Sequence, residues 1–318
     1  MYSCLRIWTV NRILLLFASF GISVILGGLY TGGDQIIYSR VYEKIGSFEI
    51  FDAYQYYTKY LTSKEIAHFL VIWTLSNSIS KLLLFSLLNT FMSALIIRFF
   101  DSLNVNFFVT LTFVLSNFYL YVLFFAAEKL KFGFIIMLLG LLMTFKGKIK
   151  NSLIAMSVLG HFQMIIVIAP ILFQNMSRSL MHFFLTLRLN RTVLYIVFGI
   201  LFLLFFVFDH LYARFQAYNR PTNVEDFLRI SIFFILTFWY TYRTHSSNNV
   251  FLIFIPLFFA IYLLGDDRIN MIGYLYFLVA ALQYKQGLNF GILISTIYFA
   301  VKTIFFIESI VRVGHGFG

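Results

Sequence analysis

The sequence predicts an all-α polytopic integral membrane protein, and three observations carry that expectation. Of its 318 residues 61% are hydrophobic and only 12% are charged; mean hydropathy is +0.87; and the charges gather between long apolar runs. A soluble domain needs far more polar surface, and a β-barrel shows short alternating segments instead of runs. Cys4 is the only cysteine, which excludes an internal disulfide and a thiolate metal cluster. The net charge of +11 is scattered over short loops and makes no basic face, so nucleic acid is not an expected partner.

A span requires roughly 20 apolar residues. Windows of that kind fall at about 12–29, 80–98, 106–127, 132–145, 192–208, 228–242, 249–264, 269–284 and 288–308, giving about 9–11 transmembrane helices in a single membrane domain over 1–318. The first follows Arg6 and Arg12 and is read as a retained anchor, long enough to cross, in preference to a cleaved signal peptide. Residues 66–75 are too short to cross and are expected as a helix on the outer surface that carries His68. Residues 153–173 are long enough, yet they hold His161 at the centre and Pro170 near the end.

Orientation bears on that segment. Positive residues of short loops stay on the cytoplasmic side, which places Arg6, Arg12, Arg98, Lys146, Lys148, Lys150, Arg178, Arg188, Arg191, Arg243 and Lys285 inside, with Asp101 as the one acid among them. This works only if 153–173 is re-entrant or broken, returning to the face it left. The loops 30–80 and 209–229 are then external. Tyr54, Tyr56, Tyr57 and Tyr60 crowd the first as an interfacial aromatic belt or as sugar-stacking rings.

Two motifs stand at apolar boundaries on the expected outer face: Gly32-Gly33-Asp34 running to Tyr38, and Gly265-Asp266-Asp267-Arg268-Ile269-Asn270. Charges at a membrane boundary are costly unless they meet water, each other or a ligand. The two are therefore expected to wall one site, joined by Arg40, Lys81, Glu128, Lys129, Lys131 and Lys302. Burial can raise a carboxylate's pKa until it deprotonates a hydroxyl, and Arg or Lys can hold a pyrophosphate. His161 has an ordinary pKa suited to accepting a proton.

Each residue also has a plainer role open to it. Asp34 could be a solvated residue after a helix end; Asp267 and Arg268 could pair across a turn; Glu128 to Lys131 could be a solvated turn. Lys302 could snorkel, and His161 could hydrogen-bond a neighbouring helix.

Gly32-Gly33-Asp34 with Tyr38, the basic residues after Glu128, His161 in a short apolar segment and Gly265-Asp266-Asp267-Arg268-Ile269-Asn270-Met271 together resemble the Wzy-type O-antigen polymerases and the related EpsG-like exopolysaccharide polymerases. The resemblance implies a bundle similar to GT-C-type membrane glycosyltransferases in the bacterial inner membrane, with its active site facing the periplasm. It implies polymerisation of undecaprenyl-pyrophosphate-linked repeat units, with a lipid-linked glycan as donor, a hydroxyl of a second as acceptor, and no nucleotide sugar. The roles it suggests are Asp34 or His161 as base, Asp267 orienting Arg268, and Arg268, Lys129 and Arg40 on pyrophosphate, with Tyr38, Glu128 and Lys302 also in contact with substrate.

Related chains often carry Arg where Lys129 or Lys131 stands here, so bidentate phosphate contact is not expected at those positions. No cofactor is indicated, although Asp34 and Asp267 leave room for Mg2+. A chain-length regulator and a flippase are the protein partners suggested. The competing classes are a flippase or transporter of the same lipid-linked units, which calls for polar residues through the bundle and two symmetric halves, and a membrane acyltransferase or ligase.

Overall fold

The structure, a computed structural model, describes residues 9–62, 64–143, 147–171, 224–244, 250–264 and 267–316, together with Leu194 and Phe198. All regular structure among them is helical. Three helices are long and apolar enough to cross a membrane, Val10–Leu29, Lys81–Ser102 and Lys285–Val313, or four if the bent pair Phe107–Ser116 and Phe118–Ala126 is one span. With the shorter apolar helices over 66–75, 149–160, 250–262 and 268–282, this architecture fits an all-α, multi-pass membrane protein. The window 192–208 lies outside the described residues, apart from Leu194 and Phe198.

The chain divides into two compact units, Met1–Met164 with Lys285–Gly318 and Ile165–Tyr284. In the first, α1 (Val10–Leu29) packs along α5 (Lys81–Ser102) in antiparallel fashion. The register is set at three levels. Arg12 Nη2 meets Asp101 Oδ1 at 2.6 Å at one end, Ser19 and Ser93 hydroxyls are 2.7 Å apart inside, and Gly27 faces Leu82 at the other end. Small residues let two backbones approach, and hydroxyls hydrogen-bond across the contact.

Between α1 and α5 the chain forms α2 (Gln35–Ile45), α3 (Ile50–Leu61) and α4 (Ile66–Leu75). The sequence reading expected an external loop here with no core of its own. These helices pack as part of the unit: Val41, Ile45, Ala53, Tyr57, Phe69 and Ile72 join Phe85 and Phe132 in one apolar cluster. The tyrosines pack here too, as Tyr57 is fully buried and Tyr54 lies edge-on to Phe69. The physical reason is that α2 and α3 are amphipathic, and they pack against each other and against α4.

α6 (Phe107–Ser116) and α7 (Phe118–Tyr121) meet at a 50° bend. Asn117 makes the bend, because its side chain caps α7 by accepting from the Leu120 N–H. A π-helical turn, Val122–Ala126, then delivers Glu128 to the start of α8 (Glu128–Leu142). α9 (Gly147–Gly160) crosses α8 closely.

The helix stops at Gly160, leaves residues 161–163 outside any helix and resumes as α10 over 164–171. The expected segment 153–173 is thus interrupted at His161. At the other end of the unit, α14 (Phe290–Val313) is tied back twice. Gly314 carbonyl accepts from the Gly32 N–H at 2.7 Å, and Gln286 carbonyl accepts from the Asn106 N–H at 2.9 Å. Gly314 has φ +76, the left-handed geometry that glycine tolerates at a helix end.

Arg12, Asp101 and Gln286 therefore share one end of the first unit, and Gly32, Lys81 and Gly314 share the other. That division agrees with the side-by-side grouping read from charge.

The second unit contains α11 (Val224–Arg243), α12 (Val250–Leu264) and α13 (Asp267–Leu282). Gly273 lets Ile230 approach, Phe233 stacks on Phe277 at 6.1 Å, and Asn270 donates to Asp226 Oδ1 at 3.0 Å. Of the expected external loop 209–229, residues 209–223 lie outside the described residues and the remainder opens α11.

Candidate functional site

The first unit concentrates buried charge where α2, α4, α5, α8 and the break after α9 converge. Glu65, Glu128, Lys129 and Lys131 are all buried. Charge in such a place must be paired or hydrogen-bonded, and here it is. Lys81 Nζ donates to Gln35 Oε1 at 2.6 Å and Ser39 Oγ at 3.3 Å, and lies 3.6 Å from Glu128 Oε1. Lys129 Nζ donates to Leu61 O at 3.1 Å, and Lys131 Nζ to Phe124 O at 2.9 Å. The π turn supplies that last acceptor, because widening the helix there frees carbonyls from the usual ladder.

Tyr38 sits among these cations, its ring centroid 5.6 Å from Lys81 Nζ and 5.4 Å from Lys129 Nζ. Lys131 Nζ lies 5.0 Å from the Phe85 ring. Ring faces give each ammonium a favourable electrostatic environment where water is scarce.

His161, at the helix break, turns its Nε2 toward Glu65 Oε1 at 3.8 Å and accepts the Gln163 N–H at Nδ1. Beside it, His68 shares a 2.9 Å hydrogen bond between its Nδ1 and the Tyr57 hydroxyl. Burial, helped by the charges of Lys129, Lys81, Lys131 and His161, holds His68 well below its usual pKa. It is neutral in the folded protein.

A folded pKa below the unfolded value near 6.5 means that its contribution to stability is complete above that pH and is lost as pH falls below it. The unfolding midpoint of the detergent-solubilised protein should therefore drop between pH 7.5 and 5.5. His68→Gln should show a shallower fall over the same interval, and an equal slope in both proteins would exclude His68 as the source.

Next to the cluster a cleft of about 420 Å³ opens between α1, α2, α5 and the π turn. Its polar lining includes Gln35, Arg40, Glu43, Lys81, Asn89 and Glu128, and its apolar lining includes Phe85, Phe124 and Phe125. Burial holds the Tyr30 hydroxyl, also on the lining, above its usual pKa, with the Asp34 and Glu128 carboxylates adding to the effect against a lowering contribution from the Gly316 backbone.

Tyr38, Glu128, Lys129 and His161, expected as site residues, are gathered in the cluster, and Arg40 lines the cleft with Glu128. The others stand elsewhere. Asp34 precedes α2, is exposed and does not line the cleft; the residue that the motif turns inward is its neighbour Gln35, which donates to Phe125 O at 2.9 Å. Lys129 is buried behind Tyr38 and contributes charge without lining the cleft. Lys302 Nζ lies 5.3 Å from both the Phe118 and Tyr298 ring centroids, on α7 and α14 respectively, away from the cleft lining.

Arg268 belongs to the second unit, where it is half-buried in the first turn of α13. Gly265, Asp266 and the Asp267 side chain lie outside the described residues. Among the described residues no group of three or more His, Cys, Asp or Glu is placed to hold a metal ion.

Sequence reasoning missed Glu65, His68 and Gln35 as members of this cluster. Lys64 and Glu65 before an apolar helix resemble any solvated turn, and only the fold of α2 to α4 carries Glu65 and His68 inward. Comparison of the chain with models of protein families, with curated proteins and with solved structures found no match.

Proposed function

We propose that this protein is a membrane-embedded glycosyltransferase that joins undecaprenyl-pyrophosphate-linked oligosaccharide repeat units into an O-antigen-like or capsule-like polysaccharide. The observation that carries this reading is the cleft where Arg40, Lys81 and Glu128 stand together at one end of the α1–α5 pair. Two cations suit a pyrophosphate and a carboxylate suits a hydroxyl. α1 leaves Leu14, Phe17 and Ile25 exposed along its length, an apolar flank for a polyprenyl tail lying in the bilayer.

In the proposed reaction a hydroxyl oxygen of the acceptor glycan attacks the anomeric carbon of the donor. The new C–O bond forms as the bond from that carbon to the pyrophosphate oxygen breaks, and undecaprenyl pyrophosphate leaves with the electron pair. Arg40 and Lys81 stabilise its developing charge, while Lys129 and Lys131 raise the local positive potential from behind.

The hydroxyl proton passes to Glu128. Asp34 and His161 are less suited to that step: Asp34 faces solvent off the cleft, and His161 Nδ1 already accepts from a backbone N–H. Arg268 as a pyrophosphate-binding group is a separate proposal for the second unit taken by itself. The proposed setting is the bacterial inner membrane, with the site on the periplasmic face.

Deleting the gene in the cell that carries it and resolving the surface glycan on a gel tests the reading. Material capped by a single repeat unit is the expected result. Complete loss of surface glycan would overturn the reading in favour of a transporter, and unchanged long chains would overturn it outright.

A further inference from the structure

The floor of the cleft is lined by residues that carry buried oxygens without a partner. Ser23 Oγ, Ser86 Oγ, Asn89 Oδ1 and Glu128 Oε2 are buried and make no hydrogen bond, and all four residues line the cleft. Their exposures are 1%, 1%, 2% and 4%. A buried polar group left unsatisfied destabilises the fold. The same α1–α5 seam satisfies itself deeper down, where the Ser19 and Ser93 hydroxyls pair and Ser93 Oγ donates to Asn89 O. Along that seam the orphaned oxygens belong to Ser23, Ser86 and Asn89, all three on the cleft lining.

The chemistry of the occupant follows from the set. Glu128 Oε2 and Asn89 Oδ1 can only accept, so the occupant donates. A metal cation is disfavoured because Lys81 Nζ already stands 3.6 Å from the other Glu128 oxygen and Arg40 shares the lining. A neutral group rich in hydroxyls meets no such repulsion. Phe85, Phe124 and Phe125 offer the apolar wall against which the C–H face of a sugar ring packs.

We infer that this floor is a sugar subsite: hydroxyls of a pyranose ring hydrogen-bond Ser23, Ser86, Asn89 and Glu128, while the attached phosphate stays beside Arg40 and Lys81. The inference rests on the glycosyltransferase reading and adds to it the place where one sugar ring sits.

The test uses the full chain in lipid nanodiscs, with binding read from the unfolding midpoint as ligand is added. The sugar probes are octyl glucoside, octyl galactoside and octyl N-acetylglucosaminide, with 1-octanol as the sugar-free control; the anionic probe is farnesyl pyrophosphate. At least one glycoside should bind the unaltered protein more tightly than octanol. The double variant Ser23→Ala, Ser86→Ala should weaken that glycoside roughly tenfold and leave farnesyl pyrophosphate unchanged.

No glycoside binding beyond octanol, or equal glycoside binding in the variant, overturns the subsite. Glycoside binding lost in the variant, with no binding of farnesyl pyrophosphate to the unaltered protein, keeps the subsite and removes the polyprenyl-pyrophosphate reading. Farnesyl pyrophosphate binding without glycoside binding does the reverse.

Discussion

Glu128→Gln is expected to slow repeat-unit joining by about 10²–10⁴-fold, the range spanned by loss of a general base, with little change in the fold. Gln keeps the shape of the side chain and can still meet Lys81 through its carbonyl oxygen, but it cannot take the proton of an attacking hydroxyl. Glu128 is suited to that task by position: it is 4% exposed, lines the cleft and keeps Oε2 without a hydrogen-bond partner. The measurement is single-turnover transfer between synthetic lipid-linked oligosaccharides, with circular dichroism to confirm the helical content. Asp34→Asn should have a much smaller effect, since Asp34 is exposed off the cleft. A variant at Glu128 that retains full rate, or an Asp34 variant that loses more, would sink the assignment.

The largest effect on stability is expected at the crossing of α8 and α9. A Cβ on Gly160 would stand 2.5 Å from Gly133 N, 2.7 Å from Gly133 Cα and 2.8 Å from the Phe132 carbonyl carbon. Every one of those atoms is backbone, so no rotamer change relieves the clash and the helices must separate.

Overpacking of this kind reaches the upper end of about 1–3 kcal/mol, and Gly160→Ala should lower the unfolding midpoint accordingly. Gly133→Ala gives an internal comparison. Its nearest neighbours are Met164 Cγ and Sδ, with Ser157 O at 3.2 Å, and a thioether side chain can turn away, so the loss should be smaller. Gly160→Ala should also impair function, because His161 follows directly and its approach to Glu65 depends on where α9 ends. Equal stability of the two variants would show that the crossing is softer than its backbone contacts indicate.

The parts of the molecule legible in the sequence are those set by local composition. Apolar runs bounded by polar residues announced α1, α5 and α14, since a helix long enough to cross a bilayer is recognisable by length and hydropathy alone. The short run Ile66–Leu75 was readable as a helix of its own, and His161 with Pro170 signalled trouble in the long run that contains them. The charge pattern also paired Arg12 with Asp101 at one end of the bundle and set Asp34 with Glu128 at the other. Glu128 and Lys129 were visible as site candidates because charge next to apolar helix is rare.

What only the tertiary structure decided is which of those charges turn inward. A one-residue difference along a helix rotates a side chain by about 100°, so the motif around Asp34 presents Gln35 to the interior while Asp34 faces out. Glu65 and His68 read as surface residues because nothing in their neighbourhood reveals that α2 and α3 pack against α4. Lys129 and Lys131 look alike in sequence to Arg40 and Lys81, yet the first two are spent on backbone carbonyls and the last two line the cleft. Composition determined that this chain is built of apolar helices with charge at their ends; long-range packing, which no local pattern encodes, determined which polar atoms were left without a partner.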